Sequence, residues 1–433
     1  MKNMKALIIT LASVCALSLL AATPTVEQDD VTMTQSGRKV LITYTLRNAP
    51  AIITVDIQTN DATAGWVSIG AENFTSLVGE VNKIVRTLDT PLTVTWSAKS
   101  DWPDHTVDGG KIRAVVKAWA LDCPPDYLVT DLTGDKMHKF YVSEAAIPNG
   151  VHAAEYKTTK MVFRRIPASG VTWRMGAPAS EAPGSQSKAS TTIKYADQEI
   201  PHYVSLLEDY YMAIYPITQY QCKLFIDAYR NGTKSGVSET DDDFIYTPAN
   251  KLNFSANLRG SGVEPDSNMI VGKMRTATGL TGIDVPSDAQ WEYACRAGTS
   301  TKFSCGDTLD GRYAWNSNNA EGRIRPVGER LPNPWGLYDM HGNVCEWTYD
   351  WWEWGDYYTQ TFGTAWAADH TVTVVDPLAT ADNWGKGYGT QRGGAFNNVD
   401  FDCRSSRRQC YARNSVGEEG IYGARLCCPA VFE

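Results

Sequence analysis

Period-two alternation recurs between Asp30 and Leu132, and it narrows what the N-terminal part of this chain can become more than any other feature. "KVLITYTL" (39–46), "AIITVDIQT" (51–59), "LTVTW" (92–96) and "IRAVVKAWAL" (112–121) are rich in β-branched and aromatic residues. Successive side chains of an extended strand point to opposite faces, so such a run can bury one face and solvate the other. Between the runs lie "RNAP", "TNDATAG" and "SDWPDHTVDGG", whose Gly, Pro, Asn and Asp suit turns. Short strands with regular turns and no helical period predict an antiparallel sandwich of immunoglobulin or fibronectin type over residues 23–133. Its aromatic residues are expected in the core, where large rings bury most area, and no pattern in it points to catalysis.

The texture then changes. Residues 134–157 read as a linker, and beyond them Gly, Trp, Tyr and Asn dominate while strand runs thin out. At roughly 150 residues per domain, a chain of 433 suggests two or three domains. Two helices can be placed by their first turns. Thr218 with Gln221, and Ser287 with Gln290, have the spacing of capping boxes, in which each side chain satisfies an orphan amide at the helix start. Cys222, Phe225, Ile226 and Tyr229 keep helical spacing behind the first cap, and Trp291 and Cys295 behind the second. Both faces are expected to be core.

The start of the chain differs from both regions. Lys2 and Lys5 precede an apolar run from Ala6 to Leu20 that ends in Ala21 and Ala22, the order of a secretory signal peptide. Residues 1–22 are expected to be cleaved near Ala22, leaving a secreted, periplasmic or cell-surface protein. Acylation at Cys15 is the weaker alternative, because Val14 is branched where a lipid signal wants a small residue. No other stretch is long and apolar enough to span a bilayer. The ten cysteines fall to nine without Cys15, so an oxidising compartment implies some disulfides and at least one unpaired thiol. A net charge of −9 with no Lys/Arg cluster argues against a nucleic-acid partner.

One turn has a readable chemistry. In "GLYDMHGNVCEW", Asp339 and Glu346 are hard oxygen donors around Gly342 and Asn343, a turn whose carbonyls can point inward. Ca²⁺ favours such mixed carboxylate and carbonyl shells. The bland alternative is an acidic turn held by its own hydrogen bonds. His341 is expected to pack or hydrogen-bond rather than act as a base. No HExxH and no CxxC pair marks a zinc or redox centre.

Five segments in order carry a family likeness: "MVFRRIPASGVTWRMGAP" (161–178), "YYMAIYPITQYQCKLFI" (210–226), "VPSDAQWEYACRAGT" (285–299), "PNPWGLYDMHGNVCEWTYDWW" (332–352), and "RGGAFNNVDFDCRSSRR" with "YGARLCC" (422–428). The chain from about residue 158 to 430 resembles the sulfatase-modifying-factor family, whose founding activity is the formylglycine-generating enzyme. The resemblance implies a loop-rich α+β fold over 158–433, a duplicated C-type-lectin-like unit, following the all-β sandwich in a multidomain chain. It implies structural calcium at the Asp339 and Glu346 side chains and the Gly342 and Val344 carbonyls, and a disulfide between Cys295 and Cys410. Cys427 or Cys428 could pair with Cys305, Cys345 or Cys403. It also implies oxidation of a substrate cysteine by oxygen through copper(I) held on two cysteines. Of those two positions the second is Cys403 and the first is Asn398, while a serine position after the glycines is Ala395. One thiolate cannot supply a two-sulfur site, and an amide suits soft copper poorly. Impaired or absent oxidase chemistry is the expectation, unless Cys345, where relatives carry Trp, approaches Cys403.

A different class of function competes with the enzyme. Trp347, Tyr349, Trp351, Trp352, Trp354, Tyr357 and Tyr358, interrupted by Asp350, Glu353 and Asp356, are a dense aromatic run that an exposed face could use on a glycan or peptide. Arg404, Arg407 and Arg408 are read as either part of such a face or ion-paired structural groups. The partner is then a sulfatase-like or other polypeptide, or a glycan, and the sandwich a spacer.

Overall fold

The computed structural model describes residues 22–107, 110–178, 181, 199–352, 373–382, 385–415 and 420–432. Residues 1–21 of the expected leader, Cys15 among them, lie outside these residues, as do Glu353, Trp354, Asp356, Tyr357 and Tyr358. The described chain is mostly sheet with few helices.

Alternation becomes strand where it was expected: Lys39–Thr45, Ala51–Asp61, Pro91–Trp96 and Ile112–Trp119. The first and third pair antiparallel, with Thr32–Ser36 and Val78–Gly79 completing that sheet. Ala51–Asp61 pairs with Ile112–Trp119, Gly65–Ser68 and Lys83–Val85 in a second antiparallel sheet. Ile42 and Tyr44, Ile53 and Val55, Val94 and Trp96, and Val116 form one buried cluster between the two sheets. Each such side chain contributes about 1.5–3 kcal/mol by leaving water. Ala51–Asp61 departs from strict alternation at its start, where residues 51–55 are all buried. The cause is a second neighbour, since Ile52 packs into the C-terminal core with Ile84 and Trp119 beside it.

Residues 127–141 straddle the boundary expected at 133/134. Tyr127–Asp131 pairs with Lys160–Ile166, and His138–Tyr141 with Tyr127–Asp131, so both belong to the C-terminal sheet. Its order continues through Tyr210–Ala213 to Cys427–Pro429, all antiparallel. Residues 134–157 also hold two 3₁₀ turns, Glu144–Ala146 and Ala154–Lys157. A polar stretch that reads as linker is ordered here because Tyr141, Ile147, Val151 and Tyr156 are buried in the same cluster as Tyr210 and Trp291.

Both capping boxes form, on helices Gln219–Ile226 and Asp288–Arg296. The first helix ends at Asp227, whose φ of 49° is left-handed, so Tyr229 lies beyond it and meets Phe244 edge-on. A third helix, Ile270–Thr278, stops at Gly279. A four-stranded sheet carries the candidate site, in the order Gln409–Ala412, Tyr388–Arg392, Cys345–Trp351, Tyr422–Ala424.

Candidate functional site

The "GLYDMHGNVCEW" turn enters strand Cys345–Trp351, and "RGGAFNNVDFDC" leaves the neighbouring strand Tyr388–Arg392, so pairing of Glu346 with Arg392 brings the two motifs together. Local stereochemistry sets the loops. Asp339 and Asn343 have left-handed φ of 58° and 63°, a conformation Asp and Asn tolerate better than most residues. A Cβ on Gly342 would lie 2.1 Å from the Trp315 carbonyl, and one on Gly394 2.7 Å from the Cys403 sulfur. Neither position admits a side chain.

Asn343 fastens three segments. Its Oδ1 accepts the Arg325 N–H at 3.0 Å, its Nδ2 donates to the Arg325 carbonyl at 3.0 Å, and its own carbonyl accepts Phe396 N–H at 3.0 Å. His341 also joins the motifs. Its Nε2 accepts the Ser304 amide at 3.0 Å, so the proton sits on Nδ1 and is donated to the Cys403 carbonyl at 2.9 Å. Burial pushes its pKa down to about 4. This is a neutral hydrogen-bonding histidine, as its sequence context suggested.

The four expected calcium donors are not equivalent. Glu346 is fully buried, accepts two bonds from Arg425 at 2.9 and 3.0 Å, and accepts the Trp291 indole N–H at 2.7 Å. Its charge is balanced by a guanidinium 79 residues later. Asp339 is buried too, but one oxygen accepts Gly328 N–H at 2.9 Å and the other only a 3.5 Å contact from Asn343 Nδ2. Burial raises its pKa to about 6. Asp339 is thus the less compensated of the two carboxylates, whereas the charge of Glu346 is already met by Arg425. Among the described residues no three His, Cys, Asp or Glu side chains converge as a metal cage.

Cys403 is 0% exposed. Burial first, then Cys345 and the carboxylates of Asp402 and Asp400, push its thiol well above the ordinary range, against the Ala395 amide that hydrogen-bonds the sulfur. Asn398 is half-buried. Its Oδ1 lies 3.8 Å from the Cys345 sulfur, which also reaches Gln409 Oε1 at 3.4 Å. The Cys345 thiol and the Asn398 amide therefore meet, although they are 53 residues apart, and Cys345 is near enough to Cys403 to help raise its pKa. Sequence reading could name Cys345 but had no means to bring it there.

The described cysteines are all free thiols, Cys295 and Cys410 included, so the disulfide implied between them is absent here. The Cys295 sulfur instead faces the Met340 carbonyl at 3.8 Å and His341 at 3.9 Å. Cys410 lies half-buried on its strand near Arg407 and Arg408. Cys427 and Cys428 are likewise unbridged.

The arginines are structural. Arg392 pairs with Asp288 and, at 3.0 Å, with Glu292, while Arg408 reaches Asp288 at 2.7 Å. Arg404 grips both oxygens of Glu199 at 2.9 and 3.1 Å, and Arg407 meets Asp402 at 3.0 Å. Burial opposes the charge on Asp288, but Arg392 and Arg408 hold its carboxyl below the usual range. The aromatic run does not form an exposed plate within the described residues. Trp347 and Trp352 are core, and Asp350 is buried, accepting the Asp288 and Ala379 amides at 2.7 and 2.9 Å. Arg425, which holds Glu346, is a residue of this site that the sequence motifs did not single out. The signal available was a basic residue in an otherwise apolar "YGARLCC", since a buried charge needs a partner.

A sulfatase-modifying factor enzyme 1-like domain family matches residues 181–427. Over 238 residues the chain is 28% identical to the serine/threonine-protein kinase pkn1 of Chlamydia caviae, covering 52% of this chain and 34% of that protein. Over 80 residues it is 39% identical to the formylglycine-generating enzyme of Mycobacterium tuberculosis, covering 16% of this chain and 27% of that enzyme. The chain thus spans about a third or less of the length of these curated relatives. Among solved structures, Treponema denticola variable protein 1 aligns with a TM-score of 0.47 at 17% identity, over 63% of this chain and 96% of that one. PvdO from Pseudomonas aeruginosa aligns with a TM-score of 0.40 at 20% identity, over 62% and 94%.

Proposed function

This chain belongs to the sulfatase-modifying factor enzyme 1-like family, and from that premise we propose that it is an exported member that binds a partner rather than generating formylglycine. One observation carries the reading. Where two sulfurs would hold a soft ion, Asn398 supplies an amide, and the remaining thiol of Cys403 is sealed and kept protonated by burial. The thiolate is the form that binds soft metals. Ala395 adds no hydroxyl.

In this reading residues 1–22 are a cleaved leader, residues 23–133 an immunoglobulin- or fibronectin-like spacer, and residues 158–433 a duplicated C-type-lectin-like unit. Two antiparallel sheets around one apolar cluster support the spacer. We further propose calcium at the turn, held by the Asp339 carboxylate and the Gly342 and Val344 carbonyls. The paired Glu346 and Arg425 would brace the strand behind it. The poorly compensated Asp339 carboxyl supports this. No helix among the described residues is long and apolar enough to cross a membrane.

The test is direct. The purified chain is incubated with copper, oxygen and a peptide containing the sulfatase Cys-x-Pro-x-Arg motif, and the peptide is weighed by mass spectrometry. An unchanged mass is expected, and conversion of the cysteine to the aldehyde overturns the reading.

One contact favours a second reading. Cys345 touches Asn398 and lies near enough to Cys403 to influence its titration, so these two thiols would replace the missing pair. Copper(I) titration separates the two. Tight binding of one ion, lost in both Cys345→Ser and Cys403→Ser, supports the relocated site, and its absence removes it.

A further inference from the structure

A cleft of about 440 Å³ opens between Leu206–Tyr210, the Arg259–Glu264 loop, residues 282–290, Asp376–Leu378 and Cys427–Pro429, and it shares no residue with the Cys345, Asn398 and Cys403 cluster. Its volume is in the range of ligand pockets. We infer that this cleft binds an extended peptide segment carrying one basic side chain between apolar ones. The inference rests on the chain's being a binding module and deepens that reading by naming its ligand class.

Charge is the first argument. Five carboxylates line the cleft against two guanidiniums, and the partners of each decide what remains for a ligand. Asp284 takes Arg259 at 2.7 Å and Arg275 at 3.4 Å, and Arg275 also takes Glu264 at 2.7 Å. Asp209 accepts the Ala168 and Ser169 amides and pairs with Arg165 at 3.0 Å. Both arginines are therefore already neutralised within the fold. Glu208, exposed at the edge, has no ion pair among the described residues, and exposed Asp376 accepts only the Leu207 N–H at 3.0 Å. The surplus is negative and sits on one side, beside Leu207. A cleft lined by one sign of charge concentrates ligands of the other.

Shape and polarity supply the second argument. Val263 is 82% exposed, Leu207 59% and Leu378 38%, all on the rim. Large apolar side chains left in water around a cavity mark a contact surface more often than isolated ones do. A glycan would want a free aromatic face, but Arg259 covers Tyr349 at 4.4 Å and Tyr210 is buried with its hydroxyl on the Gln290 carbonyl. A nucleic acid would meet repulsion. A basic side chain opposite Glu208 and Asp376, with aliphatic neighbours on Leu207, Val263 and Leu378, satisfies both features.

The experiment is fluorescence anisotropy of the full chain with a labelled Gly-Leu-Pro-Arg-Leu-Gly peptide, and with its Glu counterpart at the Arg position. Saturable binding of the Arg peptide is expected, weakened about tenfold or more by Glu208→Lys and by the Glu peptide, and by a smaller factor by the neutral Val263→Ser. Both substituted residues are exposed, so the variants should fold, and circular dichroism checks that they do. Absence of saturable binding, equal binding of the Glu peptide, or indifference to both substitutions overturns the inference. The oxidase test uses a different readout, so aldehyde formation would sink the binding-only reading while this titration still judged the cleft.

Discussion

The two regions of this protein build their interiors differently. Between the N-terminal sheets the buried cluster is aliphatic and aromatic, from Ile42 and Ile53 to Val94 and Trp96. The C-terminal region buries Arg392, Arg404 and Arg425 almost completely, each against carboxylates. An apolar cluster tolerates loss of one member by partial collapse, whereas a buried ion pair that loses one member leaves a charge with nothing to solvate it. The C-terminal region is therefore the more brittle one, and its brittleness is concentrated at the motifs.

Four single substitutions and one double variant test that contrast, taken from the largest effect down. Arg425→Met strands Glu346 and should cost about 3–5 kcal/mol, measured by urea unfolding. Adding Glu346→Leu to it should restore much of that loss. If the double variant is as unstable as the single one, the pair is not what makes this region brittle. Ile53→Ala, in the apolar cluster, should cost about 2–4 kcal/mol with no such rescue available.

Asp339→Asn should act in the opposite direction. Its folded pKa of about 6 lies above the unfolded value, so the folded state binds the proton more tightly and stability falls as pH rises from about 4 to 6. Above that range the ionised carboxyl costs about 3 kcal/mol at most. In EDTA at neutral pH the variant should melt higher than the parent, and near pH 4 the gain should vanish. With calcium added the parent should gain stability and the variant less, so equal responses would rule out Asp339 as a ligand. Ser287→Ala removes one half of a capping box and should cost about 1 kcal/mol, the smallest of the four.

Local features carried over from sequence to structure because their causes lie within a few residues. Both capping boxes formed, since a Thr or Ser side chain needs only an amide three positions on. Lys39–Thr45 and Pro91–Trp96 followed their alternation. Tyr229 did not extend its helix, because Asp227 turned the backbone left-handed two residues earlier. The linker expected over 134–157 contains strand His138–Tyr141, whose partner Tyr127–Asp131 in turn pairs with Lys160–Ile166.

The sequence by itself determined the family likeness, the two helix starts and the loss of a sulfur at Asn398. Only the tertiary structure decided that Cys345 reaches Asn398, that Glu346 answers to Arg425, and that Asp339 is left poorly compensated. The reason is physical. Turn geometry and caps act through neighbouring backbone, so residue order contains them. The partner of a buried charge or thiol depends on which distant strands pair, and here the pairing of Cys345–Trp351 with Tyr388–Arg392 and Tyr422–Ala424 chose it.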